Sequence, residues 1–161
     1  MTKYCIDASA LIDLGERHYP ERLKLFEPIW TFLYDGIDNG DIVSVDYVKT
    51  ELERKADDWR TDFLVRADQM FQISEDVERE FASVIADVET HPDLPQNKAR
   101  DRFLSGADPW VIALARRMDD CTAISAERKP LNAYGLGALC IELGVRHLNL
   151  VDFFEENGIG Q

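Results

Sequence analysis

Short apolar runs alternate with longer amphipathic stretches along this chain, a pattern typical of strands separated by helices. The strand-like runs cover residues 3–6, 41–45, 70–73, 122–125 and 145–150. Apolar side chains recur at helical spacing in residues 10–14, 21–38, 46–52, 57–69, 74–89, 108–115 and 133–143. Strands joined through helices form parallel sheets, and five strands are too few to close a barrel. The pattern therefore predicts one α/β domain over residues 1–161, with a doubly wound parallel sheet between helical layers and the strand order 3-2-1-4-5.

Local residue preferences predict where some helices begin and which side chains they bury. Ser9 and Asp108 stand directly before helical stretches and are expected to cap them, and Pro109 suits a first helical turn. The stretch 21–38 is expected to bury Leu25 along its apolar face.

The bulk composition is typical of a globular protein that buries a core. Of 161 residues, 45% are hydrophobic and 30% are charged. No apolar run approaches the ~20 residues that a membrane-spanning helix needs. The chain opens on a strand-like run without a signal-peptide core, which predicts a cytoplasmic location.

Cysteine and histidine give no sign of a metal site. The chain contains three of each, namely Cys5, Cys121, Cys140, His18, His91 and His147. The cysteines are odd in number and form no C-x-x-C pair, which predicts reduced thiols rather than a disulfide framework or a zinc site. The histidines lie far apart without ligand spacing and are expected to be structural.

The net charge of -13 argues against binding of nucleic acid through a broad basic face. It is compatible with an acidic site that recruits a divalent cation, and with a basic protein partner. Residues 98–102 form the one locally basic patch. This patch is either a solvated helix face or a guide for phosphate groups.

Four acidic residues are expected to meet at one edge of the predicted sheet. Asp7 ends the first strand, Glu51 lies in the helix after the second strand, and Asp108 starts the helix before the fourth strand. Glu127 lies just past the fourth strand. Ligands of open α/β sheets bind beyond the carboxyl ends of the strands, and crowded carboxylates favour divalent cations. Oxygen ligands alone suit Mg²⁺ or Mn²⁺ better than Zn²⁺.

The segments around these acids resemble the PIN domain, a family of metal-dependent ribonucleases that includes the VapC-type toxins. Residues 6–9 (I-D-A-S) resemble the opening D-x-[ST/N] motif, and residues 48–51 (V-K-T-E) resemble V-x-x-E. Residues 107–115 (A-D-P-W-V-I-A-L-A) resemble the A-D-x-x-I-A-x-A helix. Residues 125–127 (S-A-E) stand where many members have T-x-D, so Glu127 has a longer arm than the usual aspartate. The resemblance covers almost the whole chain and is nearest to a bacterial PIN-like subgroup with A-D-P-W and T-x-E variants.

The resemblance implies a Mg²⁺- or Mn²⁺-dependent endoribonuclease in which metal-activated water hydrolyses phosphodiester bonds. Asp7, Glu51, Asp108 and Glu127 would be its catalytic and metal-binding residues, with the Ser9 hydroxyl near the metal. The resemblance further implies the toxin half of a toxin–antitoxin pair, with RNA as substrate and an antitoxin protein or a second copy of the chain as partner.

Other interpretations remain open from the residues alone. The chain could be a catalytically weak PIN-like module that binds RNA or protein. A haloacid dehalogenase-type phosphohydrolase also begins with an aspartate after its first strand, but it needs a second aspartate where Ser9 stands. A receiver domain would need paired acids before Asp7. Trp59 and Phe63 are either core residues or part of a partner interface.

Overall fold

The computed structural model describes residues 2–55, 57–72, 75–128 and 132–160, and its framework is a five-stranded, all-parallel sheet. The strands are β1 Lys3–Ile6, β2 Ile42–Val45, β3 Phe71–Gln72, β4 Cys121–Ser125 and β5 Arg146–Asn149. Their order is β3-β2-β1-β4-β5, which confirms the predicted α/β class and strand order. Ile73 and Ser74, expected at the end of the third strand and the start of the next helix, lie outside the described residues.

The helices fill the predicted intervals with shifted ends. They are α1 Ala8–Ile12, α2 Glu27–Asn39, α3 Asp46–Glu53, α4 Asp58–Arg66, α5 Glu75–Thr90, α6 Lys98–Ser105, α7 Asp108–Arg117, α8 Leu136–Glu142 and α9 Leu150–Glu156. A π-helical turn, Asp13–His18, continues α1. The expected burial of Leu25 is wrong, because a short 3₁₀ turn precedes α2 and leaves Leu25 79% exposed. Pro28 in the first turn of α2 marks where the regular helix begins.

Strand β1 lies at the centre of the sheet and brings distant parts of the chain to one edge. Cys5 of β1 is paired with Val43 of β2 on one side and with Ala123 of β4 on the other. Directly after β1, the Asp7 amide donates a hydrogen bond to the Ile124 carbonyl at 2.9 Å. The residue that ends β1 is therefore held beside the carboxyl end of β4.

The core encloses both faces of the sheet, which explains why the central strands are almost continuously apolar. Helix α7 packs against β1, β2 and β4 and is itself covered by α5. This position buries every residue of α7 from Pro109 to Ala115. The amino end of α7, which carries Asp108, is thereby fixed against the middle of the sheet.

The aromatic residues of α4 belong mainly to the core. Phe63 is 1% exposed and stacks on Trp59 with ring centroids 5.2 Å apart. Trp30 of α2 meets both rings edge-on. Phe63 therefore offers no surface to a partner, contrary to the interface interpretation.

Two further observations concern the helices and the cysteines. None of the described helices is long and apolar enough to cross a membrane. Cys5, Cys121 and Cys140 are free thiols, as the sequence predicts, and Cys5 and Cys140 are buried.

Candidate functional site

A cavity of about 810 Å³ opens beside the carboxyl ends of β1 and β4. Its wall includes Glu51, Asp108, Glu127, Arg102, Arg128 and Tyr134. Asp7 is 7% exposed and does not itself line the cavity, although its charge acts on Glu51 and on Asp108. The structure thus brings the four predicted acidic residues within electrostatic reach of one another.

Asp7 is held in place by the turn that follows β1. Its Oδ2 accepts hydrogen bonds from the Ser9 hydroxyl at 2.7 Å and from the Ser9 amide at 3.3 Å. Asp7, and not Ser9, is therefore the N-cap of α1, because Ser9 already lies within the helix. The Ser9 hydroxyl also accepts a hydrogen bond from the Ala126 amide at 3.1 Å, which ties the start of α1 to the end of β4.

Burial is the main cause of a raised pKa at Asp7. The hydrogen bonds from Ser9 stabilise the charged form and lower the pKa in part, while the charge of Glu127 raises it. A carboxylate kept at this position is therefore held against an electrostatic cost.

Glu51 reaches the cavity because its helix is anchored on the opposite side. Val48 and Leu52 of α3 are fully buried, so Glu51, between them on the helical wheel, faces the cavity edge. Burial raises the pKa of Glu51, and the negative charge of Asp7 raises it further.

Asp108 is the most perturbed acid of the site. It is the first residue of α7, while Ala107 holds the N-cap position and no side chain caps this end, so the expected capping role of Asp108 is wrong. Burial raises the pKa of Asp108 to about 8, and the charges of Asp7, Glu51 and Glu127 contribute to the shift. Within the described residues, no hydrogen bond or ion pair compensates this carboxyl group.

Glu127 differs from the other three acids because both of its carboxylate oxygens have protein partners. Oε1 accepts from the Leu136 amide at 2.9 Å, and Oε2 accepts from the Gly137 amide at 3.0 Å. These amides open α8, so Glu127 caps that helix from a distant point in the chain. The longer glutamate arm, noted in the sequence, serves this reach.

The cap predicts a stability effect that does not depend on activity. Glu127→Ala should lower the free energy of unfolding by about 1–2 kcal/mol, because two amides at a helix start lose an anionic acceptor. Glu127→Gln should lose less, since its amide oxygen still accepts one bond. Urea unfolding measures both values, with the exposed Glu155→Ala as the control for removing one negative charge. Equal stability of Glu127→Ala and the control would contradict the capping role.

The chemistry of the acids suits a hard divalent cation, while their arrangement is not a closed ligand set. All the acidic donors are oxygens, and their mutual repulsion would be relieved by a cation. As the side chains stand, no three His, Cys, Asp or Glu residues in the described ranges form a group that could hold a metal ion. Binding of an ion would therefore require side-chain movement.

The structure also adds cavity residues that sequence reasoning did not identify. Tyr134 and Arg128 line the cavity, and Arg102, from the basic patch on α6, joins them. No sequence motif marks Tyr134. Arg128 directly follows Glu127, which was the only available signal.

Comparison with the curated proteins and with the solved structures finds no significant match to this chain. One family model matches residues 4–160, and its description is "Domain of unknown function (DUF4411)". This match spans nearly the whole chain, including every residue of the cavity wall. The chain therefore belongs to the DUF4411 family.

Proposed function

We propose that this protein is a Mg²⁺- or Mn²⁺-dependent endoribonuclease of the PIN type. The observation that carries the proposal is the Asp108 carboxyl group, which is largely buried and uncompensated beside Asp7 and Glu51. A buried acid without a partner destabilises a protein, so such an acid in a cavity is a candidate for function. Three acids that raise one another's pKa at a cavity have a direct use in binding a divalent cation.

Asp7, Glu51 and Asp108 would hold the cation. Glu127 would act mainly through the cap of α8 and through its charge. The cation supplies Lewis-acid activation of water and neutralises phosphate charge. Ser9 orients Asp7 through its hydroxyl and also joins that carboxylate to the end of β4, so it acts as a positioning residue.

Two arginines favour an anionic substrate in spite of the net charge of -13. Arg102 and Arg128 both line the cavity, and neither forms an ion pair with a carboxylate of the described ranges. By contrast, most other described arginines are paired, as Arg60 is with Glu16 and Arg146 with Glu156. Guanidinium groups left free beside a cavity are suited to bind phosphate groups that flank a reacting bond.

The family resemblance extends the proposal to a toxin of a toxin–antitoxin pair, acting in the cytoplasm on RNA. An antitoxin protein, or a second copy of this chain, would be the partner. Three free cysteines accord with a reducing compartment.

The proposal is tested by RNA cleavage with Mg²⁺, with Mn²⁺ and with chelator. The parent protein should cleave only with metal, and Asp7→Asn should lose at least ~100-fold in rate, because it removes a charged ligand while retaining a good N-cap. Asp13→Asn, which removes an acid paired with Arg17 on the same helical segment, should cleave like the parent. Equal cleavage by Asp7→Asn and the parent would overturn the assignment.

A catalytically weak module that binds RNA is the second candidate. It is favoured by the lack of a ready three-residue metal group in the described ranges. Metal-independent RNA binding without cleavage, unchanged in Asp7→Asn, would select it.

A further inference from the structure

We propose that Tyr47 is a stacking platform for one base of a single-stranded RNA bound across the acidic cavity. The proposal rests on the proposed function and assigns the contact that holds a base beside the reacting phosphate. Its basis is an aromatic stack at the edge of the cavity, together with the position of that stack on the two helices that carry Glu51 and Asp108.

Tyr47 is the outermost ring of a three-ring stack. Its ring lies 4.6 Å from that of Trp110 at an angle of 11°, and Phe81 lies 3.8 Å from Trp110 at an angle of 10°. Trp110 is thus the central ring. Phe81 and Trp110 are held by the packing of α5 on α7, so they support Tyr47 rigidly.

The outer side of this stack is open to solvent. Tyr47 is 44% exposed, whereas Trp110 is buried. The Tyr47 hydroxyl has no hydrogen-bond partner among the residues that the structure describes. An aromatic ring fixed on one face and free on the other offers a planar surface whose orientation is already set, so little conformational entropy is lost when a base stacks on it.

The stack lies one helical turn from the acidic cavity. Tyr47 and Glu51 are four residues apart on α3 and therefore share a face, with Cβ atoms about 5–6 Å apart by helix geometry. Trp110 follows Asp108 by two residues on α7. A strand whose phosphate reaches Glu51 and Asp108 would therefore place a neighbouring base at Tyr47.

A neutral base is the ligand that the local charge favours at this position. Asp46, next to Tyr47, adds to the negative potential of a chain with a net charge of -13, which repels phosphate away from Arg102 and Arg128. Base stacking needs no positive charge and is effective with any base sequence. Single-stranded RNA, whose bases are free of pairing, presents such faces.

The simpler role of Tyr47 would be to cover Trp110. A covering residue should be replaceable by another apolar side chain without any effect that depends on the presence of a particular base. A platform should instead lose its effect when the stacked base is removed from the RNA. This difference separates the two roles.

The experiment uses the full chain and a fluorescein-labelled single-stranded RNA, with single abasic sites placed at each position in turn. Binding is measured by anisotropy with Mn²⁺ in the Asp7→Asn background, and kcat and KM are measured in the Asp7 protein. We expect one position at which the abasic site weakens binding and raises KM by about 5- to 100-fold. In Tyr47→Leu, intact RNA should bind that much more weakly, and the abasic site at that position should have no further effect.

Tyr47→Phe is the matched control, because it keeps the ring and removes the hydroxyl. It should behave as the parent does. If Tyr47→Leu is unstable, the comparison of the parent with Tyr47→Ile and with the abasic series provides the same test. A parent protein equally sensitive to abasic sites at all positions would overturn the platform, as would a Tyr47→Leu protein with the parent's abasic profile.

The outcomes also separate the platform from the nuclease. Metal-dependent cleavage without any Tyr47-dependent abasic effect leaves the nuclease and overturns the platform. Tyr47-dependent RNA binding without cleavage supports the platform and overturns the nuclease. A parent protein that neither binds nor cleaves RNA overturns both.

Discussion

Asp108→Asn is expected to stabilise the protein in chelator at pH 8 and to abolish RNA cleavage with Mn²⁺. The pKa of Asp108 is raised to about 8 in the folded protein, while the unfolded chain ionises near the usual value of 3.8. Between these pH values the folded state binds more protons than the unfolded state, so the free energy of unfolding falls as pH rises through this window. Asparagine has no proton to release and escapes this loss.

The stability difference between Asp108→Asn and the parent should therefore depend on pH in one direction. It should be near zero at pH 4 and grow to about 2 kcal/mol at pH 8, since each unit of pKa shift corresponds to about 1.4 kcal/mol. Asp108 contributes no capping hydrogen bond that asparagine would lose. The same substitution should reduce the stabilisation by Mn²⁺, because the ion binds the folded acids only.

Melting curves at pH 4, 6 and 8, with chelator and with Mn²⁺, measure both effects. Asp119→Asn removes one negative charge from an exposed turn and serves as the control. If Asp108→Asn melts below the parent in chelator at pH 8 and gains as much as the parent from Mn²⁺, Asp108 is structural and the metal site lies elsewhere.

Gly15→Ala is expected to destabilise the protein strongly, although alanine is the better helix former by about 1 kcal/mol. A Cβ atom at Gly15 would lie 1.8 Å from Cε2 and 1.9 Å from Cζ2 of the Trp59 indole. The indole cannot withdraw freely, because it stacks on the buried Phe63. Overpacking of this kind costs about 1–3 kcal/mol, and here it displaces a whole ring rather than a flexible end.

Urea unfolding of four proteins tests this clash: the parent, Gly15→Ala, Trp59→Leu and the double variant. The effect of Gly15→Ala should be much smaller in the Trp59→Leu background, because the ring atoms that the new methyl group meets are absent. An equal effect in both backgrounds would show that Trp59 is not the cause.

How far the sequence could predict the site differs from one acid to the next. Asp7 was predictable because it directly follows a buried strand, and Asp108 because A-D-P-W opens an apolar helix. Glu51 required the order of the sheet, since only the pairing of β1 with β2 brings α3 beside Asp7. The partners of Glu127 could not be predicted, because its carboxylate binds amides nine and ten residues further along a loop that shows no motif.

The sequence by itself determined the class of fold, the strand order and the edge of the sheet where the acids gather. These features follow from the periodicity of apolar residues and from the handedness of parallel crossovers, which act on neighbouring residues and need no exact distances. Only the tertiary structure decided that Asp108 is uncompensated, that Gly15 must admit the face of Trp59, and that Tyr47 stacks on Trp110 with one face free. Burial, clash and stacking depend on distances of a few ångströms between residues far apart in the chain, and local patterns of polarity do not encode such distances.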